Sequence, residues 1–115
     1  MAHKHKKQKG AKREARARVF AALGDETRLR LVSSLSTGEP ASIAQLTDGS
    51  RLTRQAITKH LHVLEAAGLV RSKRLGRESL FVFQPQPLAE VHAYLDRLSR
   101  RWEQAPAGLK SLDEA

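Results

Sequence analysis

The chain has 115 residues, room for one domain with a modest core and not for two. A hydrophobic content of 40% beside 29% charged residues excludes a wholly disordered protein, and no apolar run approaches the ~18 residues of a membrane span. A net charge of +9 points to polyanionic partners, while the absence of cysteine excludes disulfides, thiolate metal ligands and thiol redox chemistry.

Residues 1–18, MAHKHKKQKGAKREARAR, carry eight Lys or Arg against Glu14 alone. Like charges at that density repel, so residues 1–10 are expected to form a disordered basic arm. His3, with the terminal amine, and His5 are able to bind copper or nickel, but an arm touching phosphates is the better reading of so basic a tail. The N-terminus lacks the apolar stretch of a secretion signal, which makes a cytoplasmic location the expectation.

From about Ala11 the chain becomes helix-prone, and Val19, Phe20 and Leu23 give it an apolar edge before Gly24. Asp25 is placed to cap a second helix on which Leu29, Val32 and Leu35 recur, stopped by Gly38-Glu39-Pro40. Ser42 caps a short third helix with Ile43 and Leu46 inward. Thr53 caps a fourth, which runs to Ala67 and ends at Gly68. Two strands about Gly76-Arg77, Val70 to Leu75 and Glu78 to Phe83, read as a β-hairpin. A last helix runs from Leu88 to about Glu103, and residues 105–115 are expected to be a flexible tail. The order helix, helix, helix, helix, hairpin, helix is mainly α with a β-hairpin wing: a winged helix-turn-helix over residues 11–104.

On the fourth helix, Ile57, Leu61 and Leu64 share one face and leave Arg54, Gln55, Thr58, Lys59 and His62 largely on others. Arg pairs bidentately with guanine, Gln with adenine, and Thr offers a hydroxyl or a methyl, the groups that read base edges in a major groove. Lys59 and Arg51 suit phosphates, and the hairpin gathers Arg71, Lys73, Arg74 and Arg77 against Glu78 alone. Aromatic residues make up only 4% of the chain, too few for base stacking on single strands, so double-stranded DNA is the expected partner. A non-specific nucleoid or RNA-associated protein is the rival reading. No catalytic set emerges: His60 and His62 diverge on a helix, and no Gly-flanked nucleophile or phosphate-cradling loop is present.

The runs VFAALGDETRLRLVSSLSTGEPASIAQL and LTRQAITKHLHVLEAAGLVRSKRLGRESLFVF, covering Val19 to Phe83, resemble the ArsR/SmtB family of bacterial transcription regulators. The resemblance implies a dimeric winged helix-turn-helix repressor on a palindromic operator, cytoplasmic and nucleoid-associated. Its DNA-contacting segment matches Thr53, Arg54, Gln55, Thr58 and His60, and its first and last helices form the dimer interface. The leftover apolar residues Val19, Phe20, Leu23, Leu88, Val91, Leu95, Leu98 and Trp102 suit that interface, although the last-helix stripe is also able to fold back on the chain's own core.

Metal-sensing members of the family carry a C-x-C pair where this chain has Ser42 and Ala44, so the resemblance is to a cysteine-free branch without the thiolate site. A second family pattern, D-x-H-x10-H-x2-E, is matched only by Glu90, His92 and Glu103, with Pro106 in the final position. Solvated charges are the better reading of those three residues, and a metal-sensing repressor is the weaker alternative. No cofactor is expected, and a small-molecule or metal effector stays unassigned.

Overall fold

Among the most deeply buried residues are Ile57, Leu61 and Leu64, spaced to share one face of a helix, together with Leu69 and Val70 just beyond it. A computed structural model describes the backbone of residues 2–114 and the side chains of residues 8–112. Six helices and three strands follow the order α1 (Ala2–Leu23), α2 (Glu26–Leu35), β1 (Ala41–Ser42), α3 (Ile43–Thr47), α4 (Arg54–Ala66), β2 (Val70–Leu75), β3 (Glu78–Phe83), α5 (Gln86–Glu103) and α6 (Ala107–Glu114). Helices α1, α2 and α3 pack on α4, and β2 closes another side.

Helix starts are chemically marked. Asp25 accepts from the Arg28 N–H at 3.0 Å to cap α2. Ser42 and Gln45 form a reciprocal capping box on α3, at 3.2 and 2.9 Å. Thr53 accepts from the Ala56 N–H at 3.1 Å to cap α4. α4 ends in a Schellman motif: Leu69 N–H donates to the Leu64 carbonyl and Gly68 N–H to that of Glu65, with Gly68 at φ 78°. This turn drops Leu69 straight into the core and starts β2 one residue later.

The sheet is antiparallel in the order β1-β3-β2, so the hairpin gains a third strand that the sequence does not announce. β1 pairs Ala41 with Phe81 and Ser42 with Leu80. Two residues after Pro40, the second of them the cap of α3, are too short to show a period of two. The hairpin register runs from Val70 opposite Phe83 to Leu75 opposite Glu78, leaving Gly76 and Arg77 as a two-residue turn with Gly76 at φ 64°.

Three expectations differ from the structure. On α2, Leu31 is buried and Leu29 is 50% exposed. Steps of three fall short of a full turn by about 60° each, so the inward arc is Arg28, Leu31, Val32 and Leu35, and Leu29 lies off it. α1 begins at Ala2, so the stretch expected as a disordered arm continues a helix rich in Ala, Lys, Gln and Arg, all good helix formers. The side chains of His3, His5 and the first lysines lie outside the described residues. Beyond α5, the expected tail contains α6, whose Leu109 and Leu112 are exposed.

The terminal helices project from the core. The radius of gyration is 18.4 Å, against ~13 Å for a compact domain of this length. Leu61 is wholly buried at the centre, where Leu61→Ala is expected to cost about 2–5 kcal/mol. Urea unfolding would show this as a lower midpoint at unchanged slope, and an unshifted midpoint would contradict the central place of α4.

Candidate nucleic-acid interface

The outward face of α4 forms the floor of an open concavity. Arg54, Gln55, Thr58, Lys59 and His62 line it together with Ile43 and Ala44 of α3, around a volume of about 680 Å³. Arg54, Gln55, Lys59 and His62 are exposed and Thr58 is half-buried. No acidic side chain lines it.

Two of the threonines are partly committed within the helix. The Thr53 hydroxyl oxygen serves as the cap, and the Thr58 hydroxyl donates to the Arg54 carbonyl at 2.7 Å. That bond uses the hydroxyl's one hydrogen and leaves its oxygen able to accept. His62 was not among the expected site residues, although its spacing from Gln55, Thr58 and Lys59 already puts it on their face.

His60 turns elsewhere. Its Nδ1 lies 3.2 Å from Arg28 Nη1 and 3.7 Å from Asp25 Oδ2, and its side chain is only 24% exposed. Arg28 also donates from Nε to the Ala22 carbonyl at 2.6 Å, so one guanidinium joins the end of α1, the start of α2 and the middle of α4. One residue past Lys59 is about 100° further round the helix, which leaves the ring half-buried against Arg28 and Asp25 rather than on the open face with Lys59. Asp25 accepts the Arg28 N–H, which holds its carboxyl below the usual 3.8.

The hairpin follows the C-terminal end of α4 and carries its cations on two sides. In the register, Arg71 opposite Val82 and Lys73 opposite Leu80 share one side. Arg74 opposite Ser79 shares the side of the buried Val70 and Phe81, and Arg77 sits in the turn. All four are exposed, and none is ion-paired among the described residues. Leu75 is 60% exposed at the tip. Arg51 lies apart from the α4 concavity, lining a separate cleft with Glu26 and Arg30 of α2.

One carboxylate holds the hairpin to α4. Glu65 accepts from the Ser72 hydroxyl at 2.8 Å and from the Ser72 N–H at 2.9 Å. These two bonds, the hydroxyl first, keep the Glu65 carboxyl below its usual 4.5. No sequence motif flags this pair. The partners are seven positions apart, and only the turn at Gly68 brings them together.

The residues expected at a dimer interface divide. Val19 and Val91 are buried in the chain's own core, a correction that follows from α1 and α5 packing on each other. Leu23 and Leu88 pack partly against that core. Phe20, Leu95, Leu98 and Trp102 stay between 38% and 51% exposed. Glu90, His92 and Glu103 do not gather. Thirteen residues of helix separate the ends of that set by ~20 Å, and no three such ligands converge among the described residues.

A helix-turn-helix domain family matches residues 23–73, which span α2 to the middle of β2. An HTH-type transcriptional regulator of Bacillus subtilis, YuzN, is 46% identical over 80 residues, covering 64% of this chain and 86% of that protein. The solved structure of an ArsR-like transcriptional regulator from Rhodococcus is 35% identical with a TM-score of 0.74, covering 89% of this chain and 95% of its own. The homodimeric winged helix-turn-helix DNA-binding domain of a Mycobacterium bovis protein shares the fold at 20% identity and a TM-score of 0.65, covering 87% and 92%.

The tether predicts a pH dependence. A lowered folded value means that Glu65 adds stability fully present above 4.5 and lost as the pH falls through that lowered value. In Ser72→Ala the Glu65 titration midpoint, followed by NMR, is expected to rise toward 4.5 and acid destabilisation to shrink. An unmoved midpoint would show that Ser72 does not hold the carboxylate.

Proposed function

The chain belongs to the ArsR/SmtB family of winged helix-turn-helix transcriptional regulators, and we propose that it acts as a homodimeric repressor on a palindromic operator in duplex DNA. The observation that carries this reading is the concavity on α4, lined by Arg54, Gln55, Thr58, Lys59 and His62 without a carboxylate, together with the four exposed cations of the hairpin. Arg54, Gln55 and Thr58 would read base edges, Gln55 favouring adenine and Arg54 guanine. Lys59 would hold phosphate, as would Arg71, Lys73, Arg74 and Arg77 from the wing, which set affinity rather than sequence choice. Arg51 would reach the backbone from the flank of the turn.

Dimerisation is supported by the exposed stripe of Phe20, Leu95, Leu98 and Trp102 on the projecting terminal helices. A soluble monomer gains nothing from so much exposed apolar surface, whereas a two-fold interface buries it on both copies. The homodimeric Mycobacterium bovis domain shares the fold. Two copies would set their α4 helices in successive major grooves, ~34–36 Å apart, which is why a palindrome is the expected target.

Two substitutions separate reading from holding. Gln55→Ala is expected to lose about 1–3 kcal/mol of discrimination at one base pair per half-site and keep most competitor binding. Arg74→Ala is expected to weaken all sequences alike and to flatten the salt dependence by about one phosphate per subunit. The measurement is titration of the chain's upstream palindrome against scrambled duplex at several salt concentrations. A uniform loss in both variants, or a specific-to-scrambled ratio near one in the unaltered protein, would leave a non-specific nucleic-acid binder instead. For the dimer, Leu95→Asp is expected to give monomers in analytical ultracentrifugation and to abolish two-half-site occupancy. An intact dimer would place the interface elsewhere.

A further inference from the structure

A second positively charged surface lies away from the concavity on α4. Between α1 and α5 an open cleft of about 530 Å³ is lined by Arg13, Arg16 and Phe20 from one helix and by Tyr94, Arg97 and Arg101 from the other. It shares no residue with that concavity. On each helix these positions recur at steps of three and four, so both helices turn guanidinium groups into one space.

Two features distinguish this cleft from a solvated basic face. The first is unbalanced charge. No carboxylate lines it, and none of its four arginines is ion-paired among the described residues. The nearest acid in sequence on α5, Asp96, is engaged by Arg100 at 3.0 Å. The second is an ordered aromatic wall. The Arg16 guanidinium lies 3.9 Å over the Tyr94 ring, and Phe20 meets Tyr94 edge-on, with centroids 6.1 Å apart at 64°. Stacking of this kind holds a guanidinium plane in place and leaves its N–H groups free to donate.

We propose that this cleft binds a small amphipathic organic acid. Its carboxylate would sit among the guanidiniums, where planar N–H forks match two oxygens at once and relieve the repulsion between the arginines. Its apolar body would lie on Ala17 and on the sides of Phe20 and Leu98 that face the cleft, at the edge of the proposed dimer stripe, and the site rests on that stripe being centred on Leu95 and Trp102, which do not line it. The volume is in the ~300–1,000 Å³ range of small-molecule sites. A DNA backbone would satisfy the charge but leave the aromatic wall unused. An acid held here bridges the two terminal helices. The site is measured on the DNA-free protein, so it stands or falls independently of the operator reading.

Isothermal titration of the full chain with 1-naphthoate tests the proposal, with inorganic phosphate as the charge-only probe. Saturable binding of one naphthoate per subunit is expected, about tenfold or more tighter than phosphate. Arg16→Gln with Arg97→Gln is expected to weaken naphthoate by about tenfold or more, and Gln55→Ala to leave it unchanged. NMR shift changes at the Tyr94 and Phe20 rings, and none at Gln55, locate the ligand in the unaltered protein even where the double variant fails to fold. The proposal is overturned by absence of saturable heat, by equal affinity for phosphate, by shifts centred on α4, or by displacement of naphthoate with scrambled duplex. The last result would make the cleft a backbone contact.

Discussion

The rotation of α4 about its own axis is the constraint on which the rest of the molecule depends. Ile57, Leu61 and Leu64 are all essentially inaccessible, and exposing any one of them would forfeit about 1.5–3 kcal/mol. A turn of one residue position, about 100°, would expose at least part of that set and bury Lys59 or His62 in its place. The apolar face therefore decides which polar side chains look outward, without making any contact of its own on the outer surface. His60 adds a polar lock on the flank, because Arg28 approaches its Nδ1 while also holding the end of α1. The polar face is held as firmly as the core it is attached to.

The hairpin depends on α4 in turn. A two-stranded ribbon alone is marginal in water, and this one is anchored at its base by three devices. The Schellman turn sends Leu69 and Val70 into the core, β1 supplies a third strand, and Glu65 holds Ser72 through two hydrogen bonds. All three act at the root. From Lys73 to Ser79, no side chain forms a hydrogen bond or ion pair to the body among the described residues, and the cations and Leu75 stay exposed there. The root fixes direction, while the tip keeps freedom to adjust to a surface.

Most of this frame was legible in the sequence because its signals are local. Asp25, Ser42, Thr53 and Gly68 mark helix ends through bonds that span five residues at most, and the hairpin declares itself by alternation about Gly76-Arg77. Long-range features were not legible. Arg28 reaching His60 across 32 positions, Ala41 pairing with Phe81, and Glu65 receiving Ser72 after a reversal all depend on packing that no periodicity encodes. The apolar terminal residues show the same limit. Spacing put Val19 and Val91 on stripes with Phe20 and Leu95, but only the packing of α1 on α5 decides which members face inward. Leu29 shows a limit within one helix: a recurrence of three falls about 60° short of each turn, so one member of the series lies off the buried arc.

The surplus of positive charge is spread over two surfaces whose neighbours differ, and the neighbours decide what each can hold. On α4 and the hairpin the cations are strung out along the two elements, a spacing suited to successive phosphates of an extended polyanion. Between α1 and α5 they converge on one space against an aromatic wall, which suits a single compact anion with an apolar body. The two surfaces are also mechanically close. α1 packs on both α5 and α4, and Arg28 fastens the last turn of α1 to the network around His60. Any ligand that bound more tightly to one setting of α1 against α5 would favour that setting by its difference in affinity, and by no more. The DNA surface would in turn alter the affinity of the cleft by the same factor, since coupling between two sites is reciprocal.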